Sequence, residues 1–404
     1  MLVVTTRDMF PVNRGDSIHN YNLVKYLSNY FDITVLSLTQ NDEQSQKVKT
    51  TKNRIGLFKT IKHSRALAFF GVISALVTNR PMQVGYYSNK LFKKMVEEHM
   101  KDAHIAIFHL VRSYNLVPKK CNIPIIMDMA DALSLNYARS IDKGNINFAL
   151  RWVYNTEMNR ILDYEIRSIK RFDRVFLHTK SDKDYLLDRE SSILEEKIEL
   201  STQGVNFDLF RTRPDSSKNS SFLRKRVVFV GTMSYLPNIK AVLFFANKVF
   251  PSILTRFPGA KFYVVGSNPP KQVSNLSKQP NICVTGRVDS VYDYYADSTV
   301  SVCPVNIGAG IQNKILESMS VGVPVVASTM SSSGLLDGYQ DSILIANDVD
   351  EWVDCVIRMF TDFSLYEEKS RKAGEYVRKN YDWSCVLKPY KESVDLMTNK
   401  EWYE

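Results

Sequence analysis

The segment from Val300 to Ser328, VSVCPVNIGAGIQNKILESMSVGVPVVAS, reads as strand, glycine loop, helix, turn and strand. Gly308 and Gly310 allow a backbone to come close to a ligand. The helix opening near Asn313 aims free N–H groups at that loop, and such an end favours an anion such as a diphosphate. Lys314 puts a cation in the first turn, which is unfavourable unless an anion sits there. Glu317, one turn on, can accept two hydroxyl hydrogen bonds from a ribose. Gly322 and Pro324 end the helix and lead into a buried strand. The loop is not a P-loop, because no Gly-Lys-Ser/Thr follows, and Asn313 stands where a dinucleotide fingerprint has its third glycine. On these residues alone, diphosphate binding and a packing-driven turn both stand.

The elements around this segment alternate between strand and helix. In the first half, strands are predicted at 2–7, 33–38, 105–110, 123–128 and 174–179, with helices at 17–30, 89–100 and 148–170. After Gly204 the pattern restarts. Strands are predicted at 226–231, 261–266, 282–287, 300–305, 324–327 and 342–345, and helices at 238–255, 291–296, 313–320 and 349–360. Short apolar strands divided by helices imply parallel sheets covered on both faces. The polar stretch 211–224 reads as a linker. The expectation is an α/β protein of two Rossmann-like, doubly wound domains facing a central cleft. The first covers 1–205, the second 206–380, and residues 381–404 pack back on the first. At 404 residues the chain is long enough for two such cores.

Composition narrows the function. The five cysteines are scattered without a C-x-x-C pair, as buried thiols of a reducing compartment are. No metal site is expected. His99, His104 and His109 do not share a face, and Asp348 with Asp350 precedes a helix, where capping accounts for them. The formal net charge is +10, and residues 1–200 hold 30 Lys/Arg against 22 Asp/Glu. The excess gathers in 52–101, where cations alternate with apolar residues. Two readings stand: a solvated basic face packed on its apolar side, or a partly helical stretch on an anionic membrane surface. Nucleic acid is not expected as a partner, because no recognition motif or stacking platform is evident. The N-terminus enters a strand directly and lacks a signal-peptide pattern, so a cytoplasmic place is expected, with the inner membrane face open to it.

The motif resembles the donor-binding segment of GT-B glycosyltransferases of the retaining family 4. It is similar to the subset reading N-K-x-L-E-A-M-A-x-G-x-P-V-V. Pro11 to Asp16 with Asn20 to Leu23 resembles that family's first loop and helix. Arg226 to Thr232 resembles the strand opening its second domain, and Tyr235 to Asn238, Gly286 to Val288 and Tyr381 to Trp383 also match. The resemblance implies transfer of a sugar, of hexosyltransferase type, from a nucleotide-diphosphate sugar to a hydroxyl. It implies retention, no metal or other cofactor, and a glycan or lipid-linked acceptor in surface polysaccharide or lipid-linked glycan synthesis.

Carried over, Glu317 would hold the donor ribose and Gly15 would meet the donor phosphates. Gly231 and Thr232 would sit beside the donor. Gly308, Gly310, Ile311, Gln312 and Asn313 would line its sugar and diphosphate, and Val288 would lie near the base. His109, at a strand end, would touch the donor sugar or be an ordinary hydrogen-bonded histidine. Arg112 would bind acceptor or phosphate. Asp128 and Asp131 would meet the acceptor hydroxyl, or Asp131 would cap the next helix, while Asp16 caps the helix it precedes. Three departures stand out. Ala309 replaces a sugar-side glutamate, and Thr232 and Asn238 replace the Arg and Lys that commonly clamp the diphosphate. Lys314, with Arg287, is expected to replace part of that clamp. The competing readings are a non-catalytic nucleotide-sugar binding or partner subunit, and a nucleotide-sugar epimerase on the same plan.

Overall fold

The computed structural model describes residues 1–10, 12, 15–39, 55–142, 148–306 and 311–398. Gly308, Ala309 and Gly310 lie outside them, as do Pro11, Asn13 and Arg14 of the first loop. The chain divides into two compact units, Met1–Thr202 with Val386–Glu404, and Gln203–Cys385. Residues 381–385 belong by their contacts to the second unit.

The first unit holds seven parallel strands: β1 Leu2–Thr5, β2 Ile33–Thr39, β3 Ile55–Lys62, β4 Ala106–His109, β5 Ile125–Ala130, β6 Arg174–Leu177 and β7 Ile198–Leu200. Their order is β3-β2-β1-β4-β5-β6-β7. The second unit holds six: β8 Arg226–Val230, β9 Lys261–Val265, β10 Ile282–Gly286, β11 Val300–Cys303, β12 Val325–Ala327 and β13 Leu344–Ile345, in the order β10-β9-β8-β11-β12-β13. All pairings are parallel. Each order reverses direction once, between β1 and β4 and between β8 and β11. Helices on the two sides part there, leaving a crevice at the carboxyl ends of the strands. The doubly wound α/β expectation is met.

Strand burial explains the apolar runs. Val3, Val4, Val35, Leu36, Phe108 and Met127 are fully buried in the first sheet, as are Val227, Val228, Phe229, Val264 and Val302 in the second. A sheet covered on both faces needs apolar residues at consecutive positions, not alternate ones.

Three expectations are corrected. The stretch 211–224 is not a plain linker, because Asp215–Arg224 is a helix. Phe222 of that helix packs edge-on to Phe363, and Ser221 Oγ donates to the Ala296 carbonyl. Just before it, Arg213 is fully buried and donates to the carbonyls of Ser298 (3.0 Å) and Gly322 (2.9 Å) and to the Tyr366 hydroxyl. The helix expected over 238–255 is three pieces, Leu236–Phe244, a widened π turn at Phe245–Val249, and Phe250–Arg256. Pro251 has no N–H to continue the ladder, and the wide turn precedes it. The basic stretch 52–101 opens with β3, an edge strand in register with β2 from Leu57↔Thr34 to Lys62↔Thr39, before turning helical at Arg65.

Candidate active site

In the second unit the site begins at the ends of β8, β9 and β10. Each strand ends on a glycine or runs into one, Gly231, Gly266 and Gly286. Gly231 N donates to the Val265 carbonyl and Gly266 N to that of Gly286. Gly266 has φ +153°, and a Cβ there would stand 1.8 Å from the Gly231 carbonyl oxygen. Only glycine fits, so the floor of the crevice is bare backbone.

Across the switch point, β11 leads to the helix Asn313–Val321, which ends on Gly322 at φ +79°. Lys314 Nζ donates to Asn238 Oδ1 at 2.7 Å and lies 3.4 Å from Gln312 Oε1. It also sits 4.8 Å above the Phe229 ring. Among the described residues it makes no ion pair within bonding distance. Burial lowers its pKa, and Cys303 and Glu317 oppose that shift. Asn238 Nδ2 donates to the Thr232 carbonyl at 2.9 Å. Asn238 thus holds the loop after β8 and aims the ammonium of Lys314. Two of the altered positions are joined by this amide, and one of them also holds the cation.

Glu317 receives the Tyr295 hydroxyl at 3.2 Å. Burial pushes its carboxyl up to about 7, against the pull of Tyr295 and Lys314. A carboxylate so poised gains from hydroxyl donors that replace lost water. Tyr295, itself fully buried, is a site residue that sequence reasoning missed. Its only cue was a tyrosine in a short helix before a strand.

The other donor-side residues divide. Gln312 takes the cap position of the helix and Asn313 opens it. Ile311 packs on the core of the second unit, and Val288 packs beside Val228, Val230 and Tyr295. Arg287 is exposed after the edge strand β10, three strands from β11. Gly15 is exposed in the first turn of the helix Gly15–Leu27, with open space around a Cβ. That helix starts two residues before the predicted start, so Asp16 lies within its first turn and pairs with Arg7 at 3.2 Å instead of preceding it.

In the first unit, His109 and Asp128 are register partners on β4 and β5. His109 Nδ1 lies 2.8 Å from Asp128 Oδ2, and His19 Nε2 from the helix Gly15–Leu27 lies 3.1 Å from the same oxygen. Tyr390, from the helix Lys388–Thr398, adjoins the same carboxylate and stacks on Phe176 at 3.8 Å. Burial pushes Asp128 up, but His19 and His109 hold it well below the usual carboxylate range. Asp128 is fully buried, so the expected contact with an acceptor hydroxyl gives way to a role in fixing His109. His109 Nε2 is buried and has no partner among the described residues. A buried polar nitrogen of that kind calls for a hydrogen-bonding group.

His178, just past β6, lies tilted against His19 with ring centroids 4.9 Å apart, and burial pushes its imidazole down to about 3. His19, Asp128 and His178 bring three ligand atoms within 4.8 Å of one another. Among the described residues Asp131 makes no helix-capping hydrogen bond. Its carboxylate lies 3.9 Å from His178 Nδ1, and burial with Asp182 and Asp128 pushes it up to about 7. The next helix is held instead by Asp182, which accepts from Ala132 N, and by Glu165, which accepts from Ser134 N. Arg112 is buried, donates to Thr6 Oγ1 at 2.6 Å and lies 4.3 Å over the Tyr87 ring. Tyr87 also receives Arg7 Nε at 2.6 Å. His19, His178, Tyr390 and Arg7 were not legible as site residues, because their spacing in sequence has no pattern. Asp348, by contrast, caps its helix as expected, accepting from Glu351 N at 2.9 Å.

Residues 224–362 match the family Glycosyl transferases group 1. An uncharacterized 44.6 kDa protein in the cps region of Klebsiella pneumoniae is 24% identical over 170 residues, 40% of this chain and 44% of that protein. The chain thus matches less than half the length of that relative. An uncharacterized glycosyltransferase, MJ1069, of Methanocaldococcus jannaschii is 20% identical over 277 residues, 64% of this chain and 68% of its own. Among solved structures, sucrose-phosphate synthase from Thermosynechococcus elongatus superposes with a TM-score of 0.70 at 14% identity, covering 98% of each chain. Anabaena Alr3699/HepE in complex with UDP-glucose gives 0.64 at 11% identity, covering 98% of this chain and 99% of that one. The family match over the second unit, the curated relatives and the fold together support a GT-B glycosyltransferase.

Proposed function

We propose that the protein transfers a sugar, of hexosyl type, from a nucleotide-diphosphate sugar to a hydroxyl of a glycan or lipid-linked acceptor, with retention, as the family 4 enzymes do. The observation that carries this is the pair Lys314 and Glu317 on successive turns of one helix at the switch point. One offers a half-buried cation held, among the described residues, by the amide oxygens of Asn238 and Gln312, and the other offers a carboxylate placed for a ribose. A structural neighbour with UDP-glucose bound is consistent with that donor class.

Departure of the diphosphate builds negative charge, and preorganised dipoles and cations in a water-poor site stabilise it most. Here the helix N-terminus and Lys314 serve that end without a metal ion. Gly231, Thr232 and Gly15 give backbone access to the donor, and Gly308 and Gly310, outside the described residues, would line its sugar as the resemblance implies. Val288 lies toward the base. His109, oriented by Asp128, presents Nε2 to the sugar, and Arg112 and Asp131 lie on the acceptor side. Surface polysaccharide or lipid-linked glycan synthesis in the cytoplasm fits this reading.

Calorimetry with UDP, GDP, ADP and CMP tests it. Preference for one nucleoside diphosphate, weakened by Lys314→Ala and Glu317→Ala, supports donor binding. Release of that nucleotide from its sugar when acceptor is added supports transfer. Binding without release under any acceptor would favour a nucleotide-sugar binding subunit.

A further inference from the structure

The helix Arg65–Val77, RALAFFGVISALV, carries no acidic residue, and only Ala68 and Ala75 of its side chains are buried. Ala68, Gly71 and Ala75 share one face, spaced as a helix requires. Gly71 meets Gly85 of the neighbouring helix Met82–Tyr86 so closely that a Cβ on Gly71 would stand 2.1 Å from the Gly85 carbonyl oxygen. Small residues therefore dock the helix, and its large residues point outward. Phe69 is 64% exposed, Phe70 66% and Val77 82%, with Leu67, Ile73 and Leu76 also exposed. A soluble surface rarely leaves six large apolar side chains together on one short helix.

The charge along this stretch of the chain is one-sided. Residues 55–96 contain seven Lys/Arg and no Asp or Glu. Lys62 and Arg65 are exposed at the start of the helix, and Arg80 follows its end, tied to Ser74 Oγ and Thr78 Oγ1. Arg65 is the first helical residue, where the dipole disfavours a cation unless an anion is near. At 13 residues the helix is too short to cross a bilayer. No helix among the described residues is long and apolar enough to do so.

We propose that the helix Arg65–Val77 lies in the plane of an anionic lipid surface, with Leu67, Phe69, Phe70, Ile73, Leu76 and Val77 in the acyl boundary. Lys62, Arg65 and Arg80 meet the headgroups. This is the arrangement expected of an interfacial helix. A second copy of the chain fits less well, because a two-fold contact on this face would set the same cations against each other. The proposal is independent of the donor chemistry in the second unit.

The test is co-sedimentation of the full chain with phosphatidylcholine vesicles, and with vesicles also holding phosphatidylglycerol. Expected is binding to the anionic vesicles at least tenfold tighter than to the neutral ones. Phe70→Asp with Ile73→Asp should abolish binding to both. Arg65→Glu with Arg80→Glu should bring anionic vesicles close to the neutral level, at about fivefold or more per charge. Nucleotide affinity and the melting transition check that each variant folds. Absence of vesicle binding overturns the proposal, as does binding that survives Phe70→Asp with Ile73→Asp. So does a wild-type dimer in light scattering that this variant dissolves.

Discussion

Asn238 accepts the Lys314 ammonium at 2.7 Å while its own amide donates to the Thr232 carbonyl at 2.9 Å. One neutral side chain therefore ties the loop after β8 to the helix after β11. Lys314→Ala should weaken nucleoside diphosphate binding about 10- to 100-fold, the range for a hydrogen bond to a charged group. Affinity for the free nucleoside should stay near wild type. Asn238→Ala should cost severalfold only, because it frees the cation without removing it. Calorimetry with the nucleoside and its diphosphate separates these effects.

Glu317 titrates near about 7 in the folded chain, against about 4.3 in an unfolded one. Its folded pKa is raised, so the native state keeps a proton that the unfolded state loses. This group therefore makes the fold less stable as pH climbs from about 4.3 to about 7. Glu317→Gln should remove that slope and melt higher than wild type above pH 7. The same variant should lose the rise in nucleotide affinity that ionisation of Glu317 gives between about pH 6 and 8. Melting curves and calorimetry across that window read both.

Asp128 moves the other way. Its folded pKa is depressed, so its contribution is present above about pH 4 and is lost as acid titrates it below that. Asp128→Asn should cost about 3 kcal/mol at neutral pH, because His19 and His109 lose the charge they bracket. It should also lower turnover at least tenfold with little change in nucleotide affinity, since the proposed nucleotide site lies in the second unit. His109→Ala should lower turnover without the same loss of stability. Denaturant curves and initial rates check the pair.

Gly266→Ala should destabilise by about 3 kcal/mol or more, because its Cβ would overlap the Gly231 carbonyl. Gly15→Ala, with open space around the Cβ, should leave the melting temperature within a degree or two. Thermal unfolding of the two variants is a direct comparison.

Chelation should leave activity and melting unchanged, since Lys314 and a helix N-terminus are proposed in place of a metal ion. Loss of activity on EDTA treatment, restored by a divalent ion, would move attention to His19, Asp128 and His178.

Much of the fold was legible because fully buried parallel strands need unbroken apolar runs, and Leu2–Thr5, Arg226–Val230 and Val300–Cys303 have them. β3 was hidden because an edge strand tolerates lysines among its apolar residues, and Lys59 and Lys62 are exposed there. The helix Asp215–Arg224 was hidden because serines and asparagine favour turns in isolation, and only packing of Phe222 and Ser221 overrides them. In the site, Lys314 and Glu317 could be read together because one helix carries both. The cluster around Asp128 could not, since His19, His109, His178 and Tyr390 meet only once the first sheet and its helices are assembled.

Tyr390 has a consequence for how the molecule is made. The helix that carries it belongs to the first unit, yet it is translated after the whole second unit. A nascent chain therefore cannot seal the Asp128 cluster until the second unit has been synthesised through Cys385. The first unit is thus split in the chain, and its completion waits on the synthesis of the second.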